Sequence, residues 1–239
     1  MTRGQRVVTM AAVILATTSA IAQAAPLSSE ALDNATVQPA GPRSGVNGKA
    51  FFNIEGSANG TFASYGVADF SFGVLPDAVI AINSIAIELV QSNAAFSAAG
   101  DVVFSLDTSA SLADIQPGGT SPLAFDGADP GTATDVSQGD LTLLPLGGGP
   151  HTYTPTANGD VNAYTFPLVV PTVTALMNRL NSNSTIRVVV GTATATLAGT
   201  WAGATNSTFA GPTLKLDVTF DPGVPSQPES WGRIKASYR

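Results

Sequence analysis

Residues 82–92 read INSIAIELVQS, and the alternation within this stretch decides the fold class. In an extended chain, successive side chains point to opposite faces. One face here is wholly apolar, with Ile85, Ile87 and Leu89, and the other is a mixed row of Ile82, Ser84, Ala86, Glu88 and Val90. An apolar face opposite a mixed face predicts a half-buried β-strand.

The same period of two recurs along the chain. In residues 101–108, DVVFSLDT, an apolar row of Val102, Phe104 and Leu106 lies opposite Val103, Ser105 and Asp107. Other segments rich in β-branched and aromatic residues, bounded by Gly, Pro, Asn or Asp, are residues 49–56, 61–73, 141–146, 161–168, 185–199 and 213–220. This succession of strands and turns predicts an all-β fold, an antiparallel β-sandwich that is jelly-roll-like.

One segment follows helical spacing instead. Residues 171–184, PTVTALMNRLNSNS, begin with proline and place Val173, Leu176, Met177 and Leu180 on one side of a helix. Proline suits the first turn of a helix, and asparagine suits its end. The pattern predicts one short amphipathic helix, which we expect to cap an open end of the sandwich.

The first 24 residues have the organisation of a secretory signal peptide. Arg3 and Arg6 precede an apolar run over residues 7–22, and a small-x-small triplet then predicts cleavage before Ala25. The run is shorter than the roughly 20 apolar residues that span a bilayer, and it contains Thr and Ser. We therefore expect an exported protein, extracellular or on the cell surface with the periplasm as an alternative, and no transmembrane segment in the mature chain.

The remaining chain divides into three parts by composition. Residues 25–48 contain three prolines and many small polar residues without a sustained period, which predicts a flexible leader. Residues 49–221 form the β-sandwich domain. Residues 222–239 are a linker followed by a basic and aromatic tail.

Composition excludes several classes of function. The chain has 17 acidic and 10 basic residues, a formal net charge of −7, so nucleic acid is not expected as a partner, because it needs a basic surface. It has no cysteine, and therefore no disulfide framework. With a single histidine it also lacks the ligands of a zinc site. We expect no cofactor, with calcium as the one candidate.

The calcium candidate is an acidic, glycine-rich segment. Residues 125–140, FDGADPGTATDVSQGD, concentrate Asp126, Asp129, Asp135 and Asp140. Carboxylates and carbonyls on tight turns could converge on one calcium ion, although the spacing does not match an EF-hand. The alternative is a set of solvated acidic turns.

Catalysis has few candidate residues in this sequence. His151 lies in GGGPHTYTP, residues 147–155, which predicts a solvated loop imidazole, and the chain has neither a G-x-S-x-G motif nor a cysteine nucleophile. Spacing does not exclude a glycan-active hydrolase whose two carboxylates come from distant strands. That hydrolase stays an alternative, and no catalytic residue is assigned.

Binding is better supported than catalysis. Trp201 stands between glycines in LAGTWAGATNSTF, residues 197–209, where its ring could offer a platform for a sugar, assisted by Asn206 and Tyr164. This hypothesis makes the protein a carbohydrate-binding module with polysaccharide as its partner. The alternative is that Trp201 packs in the sandwich core near a strand end.

Three stretches carry a resemblance to known proteins. Residues 51–73, FFNIEGSANGTFASYGVADFSFG, and residues 82–108, INSIAIELVQSNAAFSAAGDVVFSLDT, resemble exported bacterial β-sandwich proteins that often carry the PEP-CTERM sorting signal. Residues 196–220, with the strand pattern Gly-Pro-x-Leu-x-Leu, look like the closing strand pair of DNRLRE-type or carbohydrate-binding-module-like sandwiches. The likeness covers about Lys49 to Phe220 and implies an exported β-sandwich without implying particular site residues.

The C-terminal tail departs from the PEP-CTERM pattern, because VPSQPES leads into WGRIKASYR without an apolar span. A sorting or docking tag for envelope or sorting machinery is the hypothesis for its basic and aromatic residues, Trp231, Arg233, Ile234, Lys235, Tyr238 and Arg239. A frayed terminus is the alternative. For the whole chain we expect an exported, non-catalytic surface, matrix or adhesion protein.

Overall fold

The computed structural model describes residues 22–119, 123–125, 127–128 and 141–222. Antiparallel strands dominate this part of the chain, so the predicted all-β sandwich with a short helix is confirmed. The thirteen strands are β1 (Gln23–Glu30), β2 (Asp33–Gln38), β3 (Gly41–Pro42), β4 (Phe51–Glu55), β5 (Tyr65–Phe70), β6 (Val79–Val90), β7 (Gly100–Asp107), β8 (Leu143–Pro145), β9 (His151–Tyr153), β10 (Val161–Phe166), β11 (Ile186–Gly191), β12 (Ala198–Ala202) and β13 (Thr213–Phe220). The helices are α1 (Val46–Ala50) and α2 (Val170–Asn181), with 3₁₀ turns at Ser57–Phe62 and Ala94–Phe96.

Three sheets organise these strands. The first has the order β1-β13-β6-β10, and the second has the order β3-β2-β5-β11-β7-β8, with β9 also paired to β7. The third is the pair β12-β4. Many neighbours in a sheet are distant in sequence, so the fold depends on long-range pairing more than on local hairpins.

The main core lies between the first two sheets. Ile85, Ile87 and Leu89 of β6 are buried there, as the alternation in β6 predicts. The second sheet contributes Val102, Phe104 and Leu106 of β7, also as predicted. These rows face each other, so the two sheets form the sandwich.

The predicted position of Ile82 is wrong. Ile82 is buried, although the alternation places it on the mixed face with Ser84. In the pairing with β13, Asp217 lies opposite Ser84 and Val218 lies opposite Ile82, so Asn83 is skipped as a β-bulge. A bulge shifts the alternation by one residue, which turns Ile82 to the same side as Ile85.

A second cluster covers the opposite face of the second sheet. Val37, Tyr65, Val67 and Val189 pack there against Ile115 and Leu123, which lie in the connection after β7. This layer also buries polar groups on that face, including Ser105 and Asp107. Arg187 lies among them, and its guanidinium forms a bidentate ion pair with Asp69 at 2.7 and 2.8 Å.

The prediction of a flexible leader over residues 25–48 is wrong, because these residues form β1, β2, β3 and most of α1. β1 pairs with β13 along its length, from Gln23 opposite Phe220 to Glu30 opposite Thr213. β2 buries Asn34 and Thr36, whose side chains hydrogen-bond to the backbone of Phe51 and Asn53. Strand pairing and hydrogen bonds with distant parts of the chain hold this segment in place. Its composition alone does not reveal these partners.

The predicted amphipathic helix is confirmed as α2. Leu176 and Leu180 enter the main core, and the helix contacts β6 of the first sheet and β8 and β11 of the second. Asn181 fastens its end to the start of β6, since its amide oxygen accepts from Val79 N at 2.7 Å and its Nδ2 donates to Val79 O at 2.9 Å. The helix therefore closes one end of the sandwich.

Candidate functional site

A groove lies on the outer side of the two-stranded sheet. In β4, Phe52 and Ile54 point into the core, which leaves Phe51, Asn53 and Glu55 on the opposite face. The register of β12 against β4 places Thr200 opposite Asn53, and Ala198 opposite Glu55. The strand alternation itself thus builds the floor of the groove.

Two turns place aromatic side chains beside this floor. Phe62 ends the 3₁₀ turn after β4, and Phe96 ends the 3₁₀ turn after β6. Phe62 and Phe96 are 63% and 75% exposed, so two large apolar residues lie open to solvent at one groove. The groove encloses about 440 Å³, and its lining residues are Arg43, Phe51, Asn53, Glu55, Asn59, Phe62, Asn93, Phe96, Ala198 and Thr200. We call it the Phe62–Phe96 groove.

Asn53 is the polar centre of the groove floor. The residue is only 8% exposed, and its Nδ2 donates to Glu55 Oε1 at 3.3 Å. That bond orients the amide and leaves Oδ1 without a hydrogen-bond partner among the described residues. A buried carbonyl without a partner costs about 1–3 kcal/mol. Oδ1 is itself buried, so it lies beneath the surface of the groove floor.

Glu55 and Arg43 supply one charge of each sign. Burial raises the pKa of Glu55, and the hydrogen bond from Asn53 and the positive charge of Arg43 oppose that rise. Neither Glu55 nor Arg43 is fully exposed, so the two charges lie in a partly dry environment. The groove therefore combines apolar walls with a hydrogen-bonding floor that has no net charge.

The strand edges beside the groove are partly occupied by isolated bridges. β4 bridges to Ser64 through Glu55, with backbone hydrogen bonds of 2.8 and 3.1 Å. On its other side β12 bridges from Trp201 to Gln91 and from Ala198 to Ala98. These bridges limit the length of free edge on which an extended peptide could add as a further strand.

Trp201 does not form the predicted sugar platform. It is 0% exposed, its ring meets Tyr153 edge to face at a centroid distance of 4.8 Å, and its Nε1 donates to Asn162 Oδ1 at 2.7 Å. The prediction of an open ring is wrong, and the alternative of core packing is confirmed. β12 points Trp201 inward because its register pairs it with the buried Phe52.

Tyr164 and Asn206 do not join Trp201 in a binding surface. Tyr164 is 6% exposed and packs against Phe104 in the core, and burial raises its pKa. Asn206 orders its own turn, because its Nδ2 donates to Ala50 O and its Oδ1 accepts from the backbone of Thr208 and Phe209. The amide is fully used in holding this loop.

His151 is not the solvated loop residue that the glycine-rich sequence predicts. It begins β9, and its ring packs edge to face against Phe104, Tyr164 and Phe166 at centroid distances of 5.1–5.8 Å. Among the residues that the structure describes, its buried Nε2 has no hydrogen-bond partner. The three surrounding aromatic rings give the imidazole a packing role.

Some predicted residues lie outside the described part of the chain. The acidic residues of the calcium hypothesis, Asp126, Asp129, Asp135 and Asp140, fall there, and so does the tail from Trp231 to Arg239. Within residues 22–119, 123–125, 127–128 and 141–222, no three His, Asp or Glu side chains gather closely enough to hold a metal ion. The calcium and tail hypotheses stay predictions.

The groove residues were not identified from the sequence as a site. The alternation in residues 61–73 places Phe62 on a strand, together with Phe70 and Phe72, but Phe62 lies in a turn before β5. The one local signal is the position of Phe62 and Phe96 after asparagine and glycine or alanine, in ANGTF and SNAAF, where a turn leaves an aromatic ring exposed.

No protein-family model matches this chain, and no curated protein matches it. Within the described residues, the structure has no helix of the length and apolar character that a membrane crossing requires.

Proposed function

We propose that this protein is exported and works without catalysis, as a surface, matrix or adhesion component that holds its ligand in the Phe62–Phe96 groove. The observation that carries the proposal is a groove of about 440 Å³ that is flanked by two exposed phenyl rings and has Arg43, Asn53 and Glu55 among its lining residues. This combination of apolar walls and a few convergent polar groups is typical of ligand sites.

The chemistry of the groove favours binding over catalysis. A two-carboxylate hydrolase needs a facing pair of acids about 5–10 Å apart. Among the described lining residues, Glu55 is the one carboxylate. Asn53 donates to it, which leaves it suited to accepting hydrogen bonds from a ligand.

Export is supported by the sequence. The signal peptide predicted over residues 1–24 provides the route, and the resemblance to PEP-CTERM-associated sandwich proteins supports an extracytoplasmic role. The tail with Trp231, Ile234 and Tyr238 belongs to the proposal as a sorting or docking tag that holds the body at the envelope.

The test is fractionation of the native host with three versions of the chain. The first is the full chain, the second stops at Asp221, and the third is the full chain with Phe62→Ala and Phe96→Ala. We expect the full chain in the envelope fraction and the medium, with the shortened chain released. We expect the groove variant to be exported normally but to lose adhesion to cells when it is added back as purified protein.

Each part of the proposal has its own contrary result. Retention of the full chain in the cytoplasm would refute export. Equal distribution of the full and shortened chains would refute the tag. Unchanged adhesion of the groove variant, with its folding verified by circular dichroism, would refute the assignment of the groove.

A further inference from the structure

We propose that the basic and aromatic tail of one copy, residues 231–239, docks in the Phe62–Phe96 groove of a second copy, so that molecules join head to tail. This inference rests on the proposed function, because it names one partner for both the groove and the tail. The tail lies outside the described residues, and its sequence, its length and the position of the end of β13 support the assignment.

The groove and the start of the tail lie at opposite ends of the first sheet. Phe220, the last residue of β13, pairs with Val79 at the start of β6. Just beyond the far end of β6, Ser92 N donates to the backbone oxygen of Thr200, which lines the groove. A strand rises about 3.3 Å per residue, so residues 79–92 separate the two places by about 40 Å.

This separation prevents the first aromatic residue of the tail from reaching the groove of its own chain. β13 is antiparallel to β6, so the chain leaves Phe220 in the direction away from the groove. From Pro222 to Trp231 a fully extended chain covers at most about 32 Å, which is less than the distance to Thr200. Trp231 can therefore enter the groove of a second copy but not its own.

The apolar side chains of the tail match those of the groove. Phe62 and Phe96 are exposed on two separate turns. The tail supplies Trp231, Ile234 and Tyr238. Aromatic rings attract each other in offset or edge-to-face contacts, and the contact removes apolar surface from water. Each partner therefore covers the apolar surface of the other.

The spacing of the tail residues suits binding as a short helix. Trp231, Ile234 and Tyr238 follow an i, i+3, i+7 pattern, so a helix would present all three on one face. A segment this short forms at most a marginal helix in water, and an apolar groove can stabilise it by covering that face. Binding in this mode needs no free strand edge, so the bridges along β4 and β12 do not oppose it.

Charge favours contact between the tail and another body. Residues 25–221 contain 16 acidic and 5 basic residues, whereas residues 222–239 contain 3 basic residues and 1 acidic residue. The opposite signs attract the tail to the body and steer their encounter. In the groove, Glu55 can accept hydrogen bonds from Arg233 or Lys235, and Arg43 can lie against an aromatic ring of the tail.

A groove at one end and a tail at the other make the contact heterologous. Such a contact joins two different surfaces, so each molecule that binds brings a free groove or a free tail, and the assembly continues as an open chain unless it closes into a ring. The groove volume of about 440 Å³ is that of a small-ligand cleft, which suits the side chains of one tail. Growth of this kind suits the matrix role proposed above.

The experiment measures self-association of the full mature chain by sedimentation velocity over a range of concentrations. The groove variant is Phe62→Ala/Phe96→Ala, and the tail variant is Trp231→Ala/Ile234→Ala. Val74→Ala is the matched control, because Val74 is an exposed apolar residue outside the lining of the groove. The decisive sample is an equimolar mixture of the two double variants, since the groove variant keeps its tail and the tail variant keeps its groove. Circular dichroism verifies the fold of each variant.

We expect wild type and Val74→Ala to form the same series of oligomers as the concentration rises. Each double variant alone should associate at least about tenfold more weakly, a loss of about 1.4 kcal/mol. Their mixture should form a dimer of one groove variant and one tail variant. This dimer should not grow, because its remaining groove and its remaining tail are both substituted.

Three results would overturn the inference. They are a wild type that stays monomeric at every concentration, equal association by wild type and the tail variant, and a mixture in which the two double variants do not pair. The adhesion assay proposed above separates this failure from failure of the proposed function. If the groove variant loses adhesion although wild type stays monomeric, the groove binds another partner and the head-to-tail inference alone is wrong.

Discussion

At Gly199 the missing side chain decides where the Trp201 indole can lie. Gly199 is on the core face of β12, and a Cβ placed there would lie 2.2 Å from Cη2 of Trp201 and 2.3 Å from its Cζ3. Real Cβ atoms essentially never approach a non-bonded atom this closely. The indole therefore lies flat over its own strand, beneath the groove floor, and reaches Asn162.

Gly199→Ala should destabilise the protein. The added methyl group must displace the Trp201 ring from a packed core, and overpacking of this kind costs about 1–3 kcal/mol. The measurement is urea unfolding followed by tryptophan fluorescence. Thr61→Ala, on the exposed turn before Phe62, is the control and should unfold at the wild-type midpoint. A wild-type midpoint for Gly199→Ala would contradict the close packing described for Trp201.

Glu55→Gln should change how stability depends on pH. Burial raises the pKa of Glu55, so the folded protein holds this proton more tightly than the unfolded chain. The stabilisation that comes from this tighter proton binding is fully present below the unfolded-state pKa of about 4.3. It is lost as the pH rises through the raised folded-state pKa.

The expected difference is small, because Glu55 is half-exposed and its interactions are screened. Near neutral pH the Gln variant should be more stable than wild type by less than about 1 kcal/mol, and near pH 3 the two should agree. Chemical unfolding at both pH values measures this. If the stability advantage of the Gln variant over wild type were larger near pH 3 than near pH 7, the sign assigned to the Glu55 effect would be wrong.

The elements show which parts of the fold can be predicted from sequence. The apolar row of β6 and the spacing of α2 are local patterns, and both elements formed where those patterns indicate. The bulge at Asn83 is different, because it depends on the register with β13. β1 and β2 were missed for a similar reason, since their order comes from partners far along the chain.

The groove could not be predicted from the sequence for the same physical reason, its dependence on contacts between distant residues. Its floor needs β12 paired with β4, and its walls come from two turns whose aromatic residues look like strand or core residues in a linear pattern. In contrast, core packing of Trp201 was one of the two alternatives that the sequence leaves open, because a large aromatic residue between small ones fits a strand end.

Asn181→Ala should weaken the attachment of α2. The substitution removes both hydrogen bonds to Val79, and because Asn181 is exposed, water can replace part of them, so we expect a loss of about 0.5–1.5 kcal/mol. Asn178→Ala is the matched control, since Asn178 is exposed on the same helix. The check is thermal unfolding of both variants. Equal melting temperatures would show that the side chain of Asn181 does not fasten the helix.

For the whole molecule, two buried tyrosines predict sensitivity to alkali. Burial raises the pKa of Tyr153, against the hydrogen bonds with Ser97 and Gln91, and it raises the pKa of Tyr164 with help from the neighbouring Tyr153. A tyrosine with a raised folded-state pKa adds to the free energy of unfolding. This added stability is fully present below the unfolded-state pKa of about 10 and is lost as the pH rises above it.

Tyr164→Phe should therefore lose stability less steeply than wild type as the pH rises above about 10. Each such tyrosine contributes up to about 1.4 kcal/mol per pH unit to the slope. Denaturant unfolding across the alkaline range measures the slope for both proteins. Parallel slopes would mean that Tyr164 ionises as readily in the folded protein as in the unfolded chain.

The pairing of β1 with β13 also has a consequence for when the protein can fold. The first strand to emerge from a ribosome or a translocation channel has its hydrogen-bonding partner at the far end of the sandwich, so the first sheet cannot be completed until Phe220 has emerged. Contacts this distant in sequence form slowly. If the chain is exported as proposed, the first sheet can be completed only after Phe220 has crossed the membrane, so its folding would follow export.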